Sequence, residues 1–520
     1  MNTAVQTSKR NFLKGALAAG TAFGPLSAAH AIEWTKSVRW AEEADVVVVG
    51  FGGAGASAAI AAEKAGASVL VLEKMPEGGG NTRCSGGGFI EPANADYAFE
   101  YLAQTFSFCD SEMDADAVKA FCREAVSTKA YLKELDPDVQ FRFYGKANYP
   151  ELPHAETITK YAIRGTSKSG GENFFAELEK IVKGLGIRVW TNAPAAELIR
   201  RGEQIVGVCA LKDGKKINIK ARRGVVLATG GFEYDPESIQ NFCQGTKVKG
   251  LGNPGNTGDG LRMAMSVGAK LWHMNSYSGP LGAVVPGLKS AVMITPAVPG
   301  CIWVNQDGKR FVDEISVDLH SYLYAVNQFD TVAHRYPAIP CWLIFDETAR
   351  KSGSLAFPNF GYAGTAEKYQ WSADCSKEIE AGIVKKAATL EELAVVTGLP
   401  ASALAGTVRQ WNADIAAGDD KQFGRKQKKG PRTVSAPINA APYYALELYP
   451  ALLNTQGGPR RNAKAQIVSA MGKPIPRLYS AGELGSIWGT IYQGSSNIAE
   501  CLVYGRIAGR EAAGLTPWKE

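Results

Sequence analysis

Four glycines fall within six residues, Gly50-Phe51-Gly52-Gly53-Ala54-Gly55, and a carboxylate, Glu73, follows 23 positions after the first of them. Between a chain and a dinucleotide each would have a separate task. Gly50 permits a tight turn, Gly52 lets backbone approach a pyrophosphate, and Gly55 lets a helix pack close to a strand. Glu73 stands where a carboxylate meets an adenosine ribose, and an acid there argues against the 2′-phosphate of NADP. The flanking segments complete the unit. Asp45-Val46-Val47-Val48-Val49 reads as a strand buried on both faces, Ala56 to Gly66 as a helix, and Ser68 to Leu72 as a second strand. A helix N-terminus in that position faces the phosphates. This unit alone leaves FAD and NAD both open.

More distant segments favour a longer cofactor. Glu73-Lys74 leads into two Gly-rich loops, Gly78-Gly79-Gly80-Asn81-Thr82 and Ser85-Gly86-Gly87-Gly88. Val225 to Gly231 forms another buried strand ending in small residues, and Leu478-Tyr479-Ser480-Ala481-Gly482-Glu483 repeats that design near the C-terminus. Contact with both ends of the chain is a habit of large flavoproteins.

The elements that must position these residues come from an ordinary globular composition. The chain has 520 residues, 45% hydrophobic and 21% charged, enough for two to four domains. Three of its six excess positive charges lie in residues 1–31, so the remainder gives no reason to invoke nucleic acid. The run Arg425-Lys426-Gln427-Lys428-Lys429 reads as a solvated loop. No stretch of 18 apolar residues suggests a membrane span. The nine cysteines show no zinc, ferredoxin or haem-attachment spacing, so no metal site is expected and they read as small buried hydrophobes. Residues 1–31 read as an export signal: a charged Ser8–Lys14 segment, a weakly apolar Gly15–Ala22 segment, and small residues at Ala29-His30-Ala31. Lys9-Arg10 is similar to a twin-arginine pair with its first arginine replaced, and a periplasmic location follows as an expectation.

Seven blocks in fixed order carry a resemblance. They are Val49–Gly55, Gly80-Asn81-Thr82, Ala228–Phe232, Asn256-Thr257-Gly258-Asp259-Gly260, Val304–Glu314, Thr455-Gln456-Gly457-Gly458 and Ala481-Gly482-Glu483, the last continuing to Gly505–Gly509. From about 45 to 515 the chain resembles the FAD-dependent fumarate reductase and succinate dehydrogenase flavoprotein family, in the broad sense that includes urocanate reductases and 3-oxosteroid dehydrogenases. The resemblance implies an α/β fold. Its Rossmann-like FAD-binding domain, split into 44–272 and 454–517, would carry an inserted α+β capping domain, 273–453. It also implies FAD as cofactor, held by Gly50, Gly52, Gly53, Ala54, Gly55, Glu73, Lys74, Gly80, Asn81, Thr82, Ser85, Gly86, Gly87, Ala196, Ala228, Thr229, Gly230, Asp259, Gly482, Glu483, Asn497 and Ile498. Gly494 to Ile498 would open the last helix and present N–H groups to the flavin. No His lies between Asn81 and Gly88, so the attachment is expected to be non-covalent.

Departures from the family narrow the substrate. Where fumarate reductases carry a proton-donor Arg, this chain has Ile315-Ser316-Val317-Asp318-Leu319-His320; where they carry a His it has Asn454, and where they carry a carboxylate-binding Arg it has Tyr492. An anionic substrate without those partners loses charge-assisted hydrogen bonds, so the chain is not expected to be a true fumarate reductase. Tyr492 matches a stretch in which the 3-oxosteroid branch places a proton-transferring Tyr, and a phenol of pKa about 10 can donate a proton or bind an oxyanion. Tyr322, Tyr324 and His320 are further pocket candidates, Arg310 is expected to pair with Glu314, and Trp488 to add apolar character to the pocket. The implied reaction is reduction of an activated C=C bond in a non-dicarboxylate enone or acrylate, fed by a separate cytochrome c or a membrane quinol oxidoreductase. The alternatives are a 3-oxosteroid-type dehydrogenase running the reverse chemistry, and a flavin-binding protein that has lost its activity.

Overall fold

The computed structural model describes residues 31–243, 247–295, 298–318, 320–425 and 435–520. Nearly all of the expected export signal, and Lys426 to Lys429, lie outside them. In chain order the elements that matter to the site are β1 (Ile32–Glu33), β2 (Glu42–Val49), α1 (Gly53–Lys64), β3 (Val69–Leu72), α2 (Gly80–Cys84), β4 (Gly88–Pro92), β5 (Phe141–Lys146), β6 (Ile158–Ile163), β7 (Arg188–Trp190), β8 (Ala195–Arg201), β9 (Gln204–Lys212) and β10 (Lys215–Leu227). They are followed by β11 (Cys301–Val304), β12 (Cys341–Asp346), β13 (Tyr443–Leu452), β14 (Pro474–Ser480) and α3 (Ser496–Ala513).

The main sheet has nine strands, with β1-β8-β9-β10-β2-β3-β7 as its continuous order. β2 pairs in parallel with β3 on one side and with the second half of β10 on the other; that half of β10 also pairs in parallel with β14. The Val run of β2 shows why a continuous apolar stretch was needed. Val46 and Val48 enter one hydrophobic cluster, with α1 and α3, while Val47 and Val49 enter the cluster on the opposite face. Helix α3 lies against α1 through its glycines: a Cβ on Gly505 would come within 2.6 Å of the Ala54 carbonyl oxygen, and one on Gly509 within 2.2 Å of that of Ala58. The C-terminal Gly-rich block is therefore a helix-packing surface.

A second, seven-stranded sheet is centred on β13, with β12 and β11 on one side and Leu281–Ala283 on the other. Short ladders join it to the first layer. Leu271–Trp272 pairs with Gly458–Pro459, Tyr277–Ser278 with Asn454–Thr455, and Lys249–Gly250 reaches across to β13. A small antiparallel sheet, β4-β6-β5, completes the walls of the cavity described below. Eight of the nine cysteines are buried as expected; Cys109 is the exception and is exposed. The Lys-rich run also departs from its reading at its first residue, since Arg425 is fully buried.

Candidate active site

One elongated cavity of about 1690 Å³, counting the space at its mouth, runs between the two layers. Its dinucleotide end is built from backbone. Gly50 adopts φ +100°, and a Cβ there would lie 2.3 Å from the Ala228 carbonyl oxygen; a Cβ on Gly55 would lie 1.9 Å from the Gly50 carbonyl oxygen. Both positions need glycine, for the turn and for the close seating of α1. Gly52 has only the Gly79 carbonyl near its missing side chain, at 3.7 Å, and faces the cavity. Glu73 closes this end. Its carboxylate accepts from the Phe51 N–H at 2.8 Å and the Met75 N–H at 2.7 Å, and burial pushes it above the ordinary carboxylate range. Lys74 Nζ donates to Asp259 at 2.6 Å and to Thr257 at 2.7 Å.

Twenty-two residues were expected to hold the cofactor, and nineteen of them line this cavity. Ala196 does not; its neighbour Ala195 does, because successive side chains of β8 point to opposite faces. Gly53 and Gly55 also stay behind the wall. The Gly53 N–H donates to Thr82 Oγ1 at 3.0 Å, and Gly55 serves helix packing. In mid-cavity the Asn81 amide ties two buried carboxylates together, donating to Glu233 at 2.6 Å and to Glu483 at 3.0 Å. Burial raises both carboxyls well above their usual range, and for Glu483 the Glu233 charge adds to it.

The far end is built from side chains that converge from distant segments. The Tyr492 hydroxyl is buried and meets Ser278 Oγ at 3.2 Å, Asn454 Oδ1 at 3.5 Å and Asn497 Nδ2 at 3.4 Å. Burial pushes its phenol far up, so it is a proton carrier at neutral pH. The His320 ring lies 5.0 Å from the Tyr492 ring. His320 Nδ1 bonds Asp318 Oδ1 at 2.8 Å, and Asn148 Nδ2 donates to Asp318 Oδ2 at 2.6 Å. Lys160 Nζ in turn donates to Asn148 Oδ1 at 2.7 Å. Burial pushes the Asp318 carboxyl up, but the His320 charge and the hydrogen bonds from His320 and Asn148 outweigh it and hold the acid below the usual carboxylate range.

Several expected pocket residues lie elsewhere. Tyr322 is in the core of the second layer, its hydroxyl donating to the Glu314 carbonyl at 2.8 Å, because its helix turns that face away from the cavity. The Tyr324 hydroxyl is bound by the Tyr277 backbone. Trp488 is fully buried against Phe121, with ring centroids 4.9 Å apart, and does not reach the cavity. Arg310 pairs with Glu314 as expected, and it also holds Asp420. Tyr144, Asn148 and Lys160 line the far end without having been expected. They sit on and beside β5 and β6, whose sequence carries no motif.

The cavity suits FAD on its own chemistry. Buried polar atoms of Thr229, Asn454 and Asn497 along its wall lack protein partners, the state of groups arranged for a ligand. Comparison with known proteins agrees. The FAD binding domain family matches residues 45–498. The NADH:acrylate oxidoreductase of Vibrio harveyi is 28% identical over 94% of this chain, which spans 52% of that protein. The probable fumarate reductase Ifc3 of Shewanella frigidimarina is 30% identical over 91% of this chain and 75% of its own length. Among solved structures, the 3-ketosteroid delta1-dehydrogenase of Sterolibacterium denitrificans superposes with a TM-score of 0.78 at 23% identity, over 91% of this chain and 99% of that one, a likeness of fold. A glycine cradle, a cavity lined by nineteen of the residues expected to hold the cofactor and a match over most of the sequence lead to one conclusion: the chain belongs to the FAD binding domain family and is an FAD-dependent oxidoreductase of CH–CH and C=C groups.

Proposed function

We propose that this flavoprotein reduces an activated C=C bond in a non-dicarboxylate enone or acrylate-type substrate, and that Tyr492 supplies the proton. The observation that carries the reading is the Tyr492 hydroxyl, kept protonated by burial at the cavity wall and held only by long contacts of 3.2–3.5 Å. FAD held along Gly50, Gly52, Glu73 and Gly482 would supply the hydride chemistry. Tyr492 gives its proton to the α-carbon, and the oxyanion left behind is met by the Asn497 amide, whose Nδ2 donates to it from 3.4 Å. Asn454 accepts from the Ser278 hydroxyl at 2.7 Å and fixes its orientation. No Arg lines the cavity among the described residues, which supports a substrate other than a dicarboxylate.

Electrons would come from a separate cytochrome c or a membrane quinol oxidoreductase. The same reading includes non-covalent FAD and an exported, periplasmic protein. Acid precipitation releasing all yellow colour, and cell fractionation of the native strain, check those two points. The reverse reaction, insertion of a C=C bond beside a ketone, is the second reading; it is favoured by the Tyr492 and Asn497 donors, which would suit an enolate oxygen.

The decisive experiment mixes dithionite-reduced enzyme with fumarate, urocanate, cinnamate and a 3-oxosteroid and follows anaerobic flavin reoxidation. An enone or acrylate should reoxidise it while fumarate does not, and Tyr492→Phe should slow turnover roughly 10²–10⁴-fold with FAD occupancy intact. Rapid reoxidation by fumarate, or a fully active Tyr492→Phe, would overturn the reading.

A further inference from the structure

Lys160 is the one cation at the far end of the cavity, among the described residues, that is neither a histidine nor paired to an acid. Lys74, the other lysine on the wall, is committed to Asp259 at the nucleotide end. The Lys160 ammonium bonds the neutral Asn148 amide and lies within 4 Å of no carboxylate, although Asp318 stands one residue further along the same chain of contacts. Asp318 is already spoken for: one oxygen accepts from the His320 ring and backbone N–H, the other from Asn148. An ammonium has three donors, so two remain for a ligand. Burial lowers the Lys160 pKa, with the Asp318 charge opposing it from a distance, as expected of a cation whose local compensation is incomplete.

Position decides what that ligand is. Asn148 and His320 both crowd the Gly494 backbone: a Cβ there would meet Asn148 Oδ1 at 3.0 Å and His320 Cε1 at 3.1 Å. Lys160 is thus linked to Tyr492 through Asn148, Asp318 and His320. Resting on the function proposed above, we infer that Lys160 receives the carboxylate of the substrate, and that the substrate class is an unsaturated monocarboxylate. A neutral enone would leave the ammonium half-solvated and unmatched. A dicarboxylate would bring a second charge to a wall that offers it no arginine.

The test compares three probes of one shape on the FAD-loaded enzyme: cinnamate, methyl cinnamate and 4-phenylbut-3-en-2-one. Binding is read from the perturbation of the oxidised flavin spectrum, and kcat and KM are read separately. Wild type should prefer cinnamate. Lys160→Met should weaken cinnamate roughly 10–100-fold, chiefly in Kd and KM, and change the ester and the ketone less than about threefold, while Lys160→Arg keeps most of the preference. Equal weakening of acid and ester would make Lys160 a support for Asn148 and overturn the inference. So would wild type binding the ester as tightly as the acid, or loss of FAD from a folded Lys160→Met protein. Failure of the underlying reading looks different: cinnamate would still bind in a Lys160-dependent way, yet none of the three probes would reoxidise the reduced flavin.

Discussion

Two clusters of charged side chains lie beside the second layer, and they are assembled to different ends. In one, Arg310 and Arg425 face Glu314 and Asp420 with side chains fully buried, contacts of 2.8–3.1 Å, and both guanidiniums stacked near Trp411. Two cations meet two anions, and the backbone N–H of Trp303 fills a remaining acceptor position on Glu314. In the other, Lys160, Asn148, Asp318 and His320 line the cavity wall, and an amide stands where a second carboxylate would complete the pattern. A neutralised buried cluster holds elements together, whereas an incompletely matched one at a cavity is arranged for something that arrives later.

The comparison breaks most readily on the architectural side. Arg310→Ala leaves Glu314 and Asp420 buried with one guanidinium between them, and should cost about 3–5 kcal/mol of stability, measured by denaturant unfolding of the FAD-loaded protein. A loss below about 1 kcal/mol would mean that solvent or Arg425 compensates, and the contrast would fail.

The cavity-side carboxylates sharpen it through opposite pH dependence. Asp318 is held below its ordinary range, so it contributes stability above about pH 4 that is lost as pH falls further. Asp318→Asn should therefore cost about 1–3 kcal/mol at pH 7 and progressively less as acid is added. Glu233 is raised instead, by burial, and one of its oxygens has no hydrogen-bond partner. Its stabilising contribution is present below the ordinary carboxylate range and is lost as pH rises through its elevated value. Glu233→Gln, which keeps the acceptor used by Asn81 and Asn256, should gain up to about 1 kcal/mol at pH 8 relative to pH 5. Thermal midpoints are the measurement, from about pH 7 down to about pH 3 for Asp318→Asn and from about pH 5 to about pH 8 for Glu233→Gln; slopes parallel to wild type would show that neither carboxylate is the titrating group.

The limits of the sequence follow the same division. Lys74 and Asp259 were legible as separate cofactor contacts because each sits in its own motif, though their pairing was not, and Arg310–Glu314 was legible because four positions separate them. Asn148, Lys160 and Asp318 were not. Asp318 entered only as part of a stretch lacking arginine, and the other two lie in 141–163, where no spacing announces a site. The partner that buries Trp488 is Phe121, and the one that binds the Tyr322 hydroxyl is the Glu314 carbonyl, at 2.8 Å; neither choice has a local signature.

The sequence by itself determined the nucleotide end. Its requirements are backbone conformations and close approaches within a few residues, such as φ +100° at Gly50 and the 1.9 Å approach that forbids a side chain at Gly55, and these are written as residue types at short spacing. Only the tertiary structure decided the other end: which alanine of β8 faces the cavity, which tyrosine reaches it, and that a lysine from β6 stands beside an Asp and a His more than 150 residues away. Those placements follow from which faces of separate elements are buried against each other, and burial is settled by the packing of the whole chain.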